Sequence, residues 1–276
     1  MNELQIDVSS LIEEKNPKLR KKLPRFVIAY LEKIVHQKEI NAFLKENGHL
    51  KNFEFCEAAV SYLNISIDFQ GLDRIPKTGP VILVMNHPLG GVDGIAFIAA
   101  MKQHRPDLVF LVNDLLLNIT PLSDLFIGVN KHGKNRSDTR KKIASMFHST
   151  HAVCIFPAGL VSRKQQGIIK DLPWKRTFVT YAKETGHPVI PIHIEGKLSR
   201  FFYGLHKLRT FLGIKSSLEM LYLADELYKQ RNKKIVFRVG QPMILVNSEE
   251  NKDEHCVAQQ IKELLYEIPK DYGTDN

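Results

Sequence analysis

His87 and Asp93, six positions apart, are the residues of this chain best placed to move a proton. They lie in the stretch V-I-L-V-M-N-H-P-L-G-G-V-D-G, Val81 to Gly94. Val81 to Met85 has the length and apolar character of a buried strand, and Asn86-His87 fall where that strand ends. Pro88, Gly90 and Gly91 turn the backbone, and Asp93 then opens an apolar, helix-like run from Ile95 to Met101. A carboxylate that accepts one ring N–H of His87 fixes its tautomer and leaves the other nitrogen free to take a proton from a hydroxyl. The same residues also admit a plainer reading. Asp is a favoured helix N-cap, and a histidine at a strand end can be an ordinary polar loop residue.

The elements around this pair alternate. Ile65 to Phe69 reads as a strand, Gly71 to Gly79 as a loop, Val81 to Met85 as the central strand, and Asp93 to His104 as a helix. Leu108 to Val112 is a strand, Leu115 to Leu117 a short helical piece, Leu125 to Val129 a strand and Ser137 to His148 a helix. Ala152 to Phe156 is a strand, Trp174 to Thr185 a helix and Val189 to Ile194 a strand. Beyond Gly196, Leu198 to Phe211 and Leu218 to Tyr228 read as helices, Ile235 to Val239 as a strand and Glu254 to Tyr266 as a closing helix. The fold class expected is α/β, with a mixed central sheet flanked by helices. Residues 1–60 form an N-terminal helical extension to a catalytic domain over 61–276. In that extension Asp7-Val8-Ser9-Ser10 supplies caps, Asn16-Pro17 a break, and Val27, Tyr30, Leu31, Ile34 and Val35 share one helical face. Lys18, Arg20, Lys21, Lys22 and Arg25 flank that face. Such a helix suits either packing on the catalytic domain or an anionic membrane surface.

Two further blocks accompany the first. Asn86-His87 with Asp93 resembles the N-H-x4-D signature of the glycerolipid and lysophospholipid O-acyltransferases. Here five residues separate His from Asp, with Gly90-Gly91 taking up the extra one. The form N-H-P-L-G-G-V-D-G looks like a bacterial hemolysin-like branch of that superfamily. Cys154 to Arg163, reading C-I-F-P-A-G-L-V-S-R, looks like the family's F-P-E-G-T-R-S segment, with Ala158 in place of its Glu. Val189-Ile190-Pro191-Ile192 is similar to V-P-V-x-P, with Ile194 where a second proline is expected. The G-x-x-F-I-x-R block is only faintly present in Leu125 to Lys131, and its arginine is missing. The resemblance covers residues 65 to 245.

Composition narrows the alternatives. At 276 residues and 43% hydrophobic content the chain can bury a substantial core. No apolar run is long enough to span a bilayer, and the acidic N-terminus is unlike a signal peptide, so a cytoplasmic protein, peripheral to the inner face of the cell membrane, is expected. Cys56, Cys154 and Cys256 form no C-x-x-C pair, so three reduced, mostly buried thiols are expected, with no disulfide framework or zinc site. The net charge is +9, and all of the excess lies between Lys131 and Arg176, where eleven Lys or Arg face only Asp138 and Asp171. Such a patch attracts a phosphate or carboxylate headgroup, an acyl carrier protein or an anionic bilayer, or is a solvated face. No helix-turn-helix, zinc-finger or aromatic-basic motif accompanies it, so nucleic acid is not an expected partner. Gly128 to Asn135 fits G-x4-G-K, but Asn135 stands where a phosphate-binding loop needs Ser or Thr for magnesium. No G-x-S-x-G elbow and no H-E-x-x-H occur; Cys154 lies in an apolar strand and reads as inert packing.

The resemblance implies direct transfer without a covalent enzyme intermediate. His87 and Asp93 are carried over as the catalytic pair, with His87 deprotonating the acceptor hydroxyl. Arg163, helped by Ser162, Gly159, Asn86, Lys131 and Lys134, is expected to hold the acceptor. Backbone N–H groups around Gly91 and Gly94 are candidate donors to the thioester oxygen. No tightly bound cofactor is expected. The donor is acyl-CoA or an acyl-acyl carrier protein, and the acceptor a lysolipid, either lysophosphatidate-like or a lyso-aminolipid. Two other readings stand beside this one: a lipid-binding protein that has lost catalysis, suggested by Ala158, and a thioesterase. Phe201, Phe202, Tyr203 and Phe211 suit core packing better than an acyl channel.

Overall fold

The computed structural model describes residues 4–129, 136–214, 216–246 and 253–273. Helices α1 (Val8–Lys15), α2 (Pro17–Lys22), α3 (Arg25–Ile34), α4 (Gln37–Asn47) and α5 (Asn52–Tyr62) lead into strand β1 (Ser66–Gln70). Local chemistry sets the first boundaries: the Asp7 side chain accepts the Ser10 N–H to cap α1, and Asn16 caps α2, whose first residue is Pro17. β2 (Val81–Met85), α6 (Gly91–Met101), β3 (Leu108–Val112), β4 (Phe126–Gly128), α7 (Arg136–Phe147) and β5 (Ala152–Ile155) follow. A small hairpin, β6 (Arg163–Gln165) and β7 (Ile168–Lys170), precedes α8 (Thr177–Thr185), β8 (Val189–Ile194), α9 (Arg200–Phe211), α10 (Leu223–Tyr228), β9 (Lys234–Val239) and α11 (Glu254–Asp271).

The seven-stranded sheet runs in the order β1-β9-β8-β2-β5-β3-β4, parallel throughout except for the β8–β9 pair. β2 lies at its centre, parallel to β8 and β5, with all five residues buried. A strand covered on both faces must be apolar on both, which is why V-I-L-V-M carries no alternation. Val81, Leu83 and Met85 join the core under α5 and α6, while Ile82 and Val84 join the core built with α8 and α11. Full burial of such a side chain contributes about 1.5–3 kcal/mol, so this strand is a rigid base for the residues at its end. Arg105, fully buried, steadies the entry to β2 by donating to Asp107 and to the Pro76 and Gly79 carbonyls.

Helix α5 runs across residue 60, and its Phe55, Cys56 and Ala59 belong to the main core. Several expectations are corrected. In α3, Val27, Leu31, Ile34 and Val35 turn inward or half-inward, but Tyr30 is exposed. Of the cysteines, Cys56 and Cys154 are buried but Cys256 is exposed; burial pushes the Cys56 thiol up to about 12 and Cys154 higher still, which keeps both protonated and inert. Phe202 and Tyr203 pack inside, whereas Phe201 and Phe211 are exposed. Residues 218–228 divide into a 3-10 turn, Leu218–Tyr222, and α10. Among the described residues no helix is long and apolar enough to cross a membrane.

Candidate active site

His87 is the second residue beyond β2, at the carboxyl end of the parallel strands, where the chain leaves the sheet and backbone groups are free to meet a ligand. Gly90 (φ 75°, ψ −138°) adopts a conformation closed to other residues and starts α6 one residue later. Asp93 therefore lies in the first helical turn of α6, three residues after the Gly90 cap. The Asp93 Oδ2 atom lies 2.9 Å from His87 Nδ1 and accepts the Leu89 N–H at 2.9 Å. An ionised carboxylate only accepts, so Nδ1 carries the hydrogen and Nε2 presents its lone pair.

Asp93 is completely buried, while the His87 side chain keeps 18% of its surface. Burial pushes the Asp93 carboxyl up from its ordinary value, and the bonds from His87 and Leu89 work in the other direction. A buried carboxylate beside an imidazole gains most when that imidazole becomes charged, which is the situation a general base creates. The His87 ring stacks on Phe156 at the end of β5, with ring centroids 4.2 Å apart. Gly94 lies along the same wall, since a Cβ there would stand 4.0 Å from Phe156 Cε2.

A second carboxylate, which sequence reasoning missed as a site residue, holds the loop from below. Asp171 Oδ1 accepts the His87 main-chain N–H at 3.2 Å and the Ser162 hydroxyl at 2.6 Å; its Oδ2 accepts Trp174 Nε1–H at 2.9 Å. The Ser162 N–H in turn donates to the His87 carbonyl at 2.8 Å. The hairpin β6–β7 makes this possible. Its two-residue turn, Gln166 and Gly167, has positive φ at both positions, so the chain reverses and returns Asp171 beside Ser162. α11 completes the arrangement, with the Tyr266 hydroxyl accepting the Asp171 N–H and Gln259 bonded twice to the Trp174 backbone. A Gln-Gly pair between two short polar-apolar runs was the available signal.

Three of the residues expected to hold an acceptor make bonds within the protein. Asn86 is buried and both ends of its amide bind the Ile194 backbone, donating to its carbonyl at 2.9 Å and accepting its N–H at 2.7 Å. This locks β2 to β8 and explains why a proline, lacking that N–H, is absent at 194. Ser162 is committed to Asp171. Arg163 is 2% exposed; it donates to the Val161 carbonyl, pairs with Glu219 at 3.3 Å and lies over the Phe202 ring. Asn86, Ser162 and Arg163 thus each have polar atoms bonded inside the protein, Asn86 to Ile194, Ser162 to Asp171, and Arg163 to Val161 and Glu219. Gly159 sits in an exposed turn at φ 66°, where a Cβ would strike Lys175 Nζ at 2.6 Å. Gly91 is exposed at the first turn of α6. Ala158 packs in the core with Ile155 and Trp174. Lys131 and Lys134, with most of the G-x4-G-K segment, lie outside the described residues.

A histidine and a buried aspartate at the carboxyl end of a parallel sheet, with a helix N-terminus beside them, are placed to take a proton from a hydroxyl. Residues 10–263 match the family described as acyltransferase, and the chain belongs to that family. Its curated relatives include the lyso-glycine lipid O-acyltransferase of Phocaeicola vulgatus, 41% identical over 264 residues that span 95% of each protein. The lyso-glycine lipid O-acyltransferase of Bacteroides thetaiotaomicron is 40% identical over 264 residues, 95% of this chain and 97% of that one. The crystal structure of the 1-acyl-sn-glycerophosphate (LPA) acyltransferase PlsC from Thermotoga maritima aligns over 89% of each chain with a TM-score of 0.49 and 18% identity. The protein is an enzyme that transfers acyl groups.

Proposed function

We propose that this acyltransferase esterifies the free hydroxyl of a lyso-aminolipid, a lyso-glycine lipid first among them, with a fatty acyl group from acyl-CoA or an acyl-acyl carrier protein. The observation that carries the reading is the 2.9 Å contact between His87 Nδ1 and the fully buried Asp93. His87 Nε2 takes the acceptor's proton as its oxygen attacks the thioester carbonyl carbon. The oxyanion that forms is met by N–H groups at the start of α6, with Gly91 and Gly94 the candidates. It collapses with cleavage of the C–S bond, and the departing thiolate receives the proton from the imidazolium. Asp93 stabilises that imidazolium while it lasts.

Two observations support an aminolipid acceptor. The relatives that resemble most of the chain carry that activity in their names. Arg163, the cation expected to grip a phosphate, is neutralised inside the protein by Glu219, which removes the strongest reason to favour lysophosphatidate.

The test is a thioester-consumption and product assay with lyso-glycine lipid and lysophosphatidate as competing acceptors. His87→Ala should lower transfer by about 10²- to 10⁴-fold with unchanged circular dichroism. Asp93→Asn should lose a similar factor through loss of the tautomer that frees Nε2. Undiminished turnover by His87→Ala would overturn the mechanism, and a clear preference for lysophosphatidate would overturn the acceptor.

A further inference from the structure

Helix α9 shows its apolar residues to water. Phe201, Leu208 and Phe211 recur at intervals of seven and three, so with Gly204 they form one stripe, and Phe211 is 86% exposed. The inward stripe, Phe202 and Tyr203, packs on Val161 and Leu198. An ordinary surface helix has polar residues where this one has phenylalanine and leucine.

The stripe continues onto two neighbouring elements. The Phe201 ring meets the Tyr222 ring edge-on at 4.9 Å, and the Tyr222 hydroxyl is 2.6 Å from that of Tyr30 on α3. One turn earlier on α3, Phe26 is 75% exposed. Phe201, Tyr222 and Tyr30 thus form an aromatic track across three elements, with Phe26 exposed one turn along α3 from its end.

Along α9 and the residues flanking it the charge has one sign. Residues 196–218 contain five Lys or Arg and no Asp or Glu, and Lys197, Arg200 and Lys207 are exposed. Glu219, the next acid, is completely buried. A second copy of the chain would bring like charge against like charge, whereas an anionic bilayer accepts both the apolar stripe and the cations beside it, each near-surface cation contributing about 1 kcal/mol. The track also leads towards the site. α10 begins where the 3-10 turn ends, and its Leu223 and Leu227 stand against the catalytic loop: a Cβ on Gly90 would lie 3.3 Å from Leu223 Cδ2, and one on Gly91 3.7 Å from Leu227 Cδ1.

We propose that α9, the turn Leu218–Tyr222 and the outer side of α3 form the surface on which the enzyme rests on an anionic bilayer, so that a lysolipid enters the His87 site directly from the leaflet. The entry route rests on the proposed acyl transfer to a lysolipid; the docking surface does not.

The full-length protein is co-sedimented with vesicles of phosphatidylcholine alone and of phosphatidylcholine mixed with phosphatidylglycerol. The wild type should bind the mixed vesicles preferentially, and the double variant Leu208→Ser/Phe211→Ser should bind at least about tenfold more weakly, because two large apolar side chains no longer enter the interface. Both positions are exposed, so the fold and the turnover of a monomeric short-chain acceptor without vesicles should be retained. Equal vesicle binding by variant and wild type would overturn the surface. So would a wild-type dimer, seen by sedimentation velocity, that the same substitutions dissociate. Loss of turnover on every acceptor by a wild type that still binds vesicles would instead strike the acyl-transfer reading and leave the surface standing.

Discussion

Asp171 accepts the main-chain N–H of His87 at 3.2 Å across 84 positions of sequence. This bond fixes the backbone that carries the candidate base, while Asp93 fixes the ring itself. Both oxygens of Asp171 are engaged by donors, with the Ser162 hydroxyl on Oδ1 and the Trp174 indole N–H on Oδ2. Burial raises its carboxyl from the ordinary range, against the effect of those three donors.

Replacing Asp171 by Asn therefore turns one acceptor into a donor facing another donor. The catalytic loop should shift while the substrate surfaces remain, so kcat should fall by about 10²-fold with the acceptor KM little changed. Steady-state kinetics checks this split. A purely structural loss would instead reduce the fraction of active enzyme, leaving titrated active sites with normal kcat.

Arg163 and Glu219 are both shielded from water, and Arg209 Nε adds a second contact to Glu219 at 2.9 Å. Removal of one partner strands a buried charge, so Arg163→Ala should destabilise by about 3–5 kcal/mol. The double change Arg163→Met/Glu219→Leu should recover only part of that loss, because it also takes the Glu219 carboxylate away from Arg209. Urea denaturation of the three proteins measures it. If Arg163 held a headgroup, the double variant would show a large rise in acceptor KM; the buried pairing predicts little change.

His193 on β8 is buried, and its burial, with Arg238 nearby, lowers its pKa to about 4. The unfolded chain takes up a proton at this residue near its ordinary value of about 6.5, well before the folded protein does. The stabilising contribution is complete above pH 6.5 and is lost as the pH falls towards 4, up to about 3 kcal/mol. Thermal melts between pH 7.5 and 4.5, set up as about six steps, should show a decline that His193→Gln makes shallower. An unchanged slope in that variant would assign the acid sensitivity to another group.

Where the information was local, it was readable without coordinates. Val81–Met85 is a strand because five consecutive apolar residues suit burial on both faces. His87 and Asp93 meet because only one glycine-bearing turn separates them, and the caps at Asp7 and Asn16 lie within three residues of the N–H groups they satisfy. Where a residue's work depended on a partner far along the chain, spacing was silent. Arg163 stands beside a catalytic-looking motif, yet its charge is settled by Glu219, 56 residues later. Asn86 is bonded to the sheet at Ile194, and Asp171 becomes part of the site only because a hairpin and α11 bring it under His87. Sequence by itself determined the acyltransferase family and brought His87 and Asp93 together, since motifs and short-range geometry suffice for that. Which polar groups remain free for chemistry was decided by tertiary packing, because a buried donor or acceptor must find its partner wherever the fold supplies one.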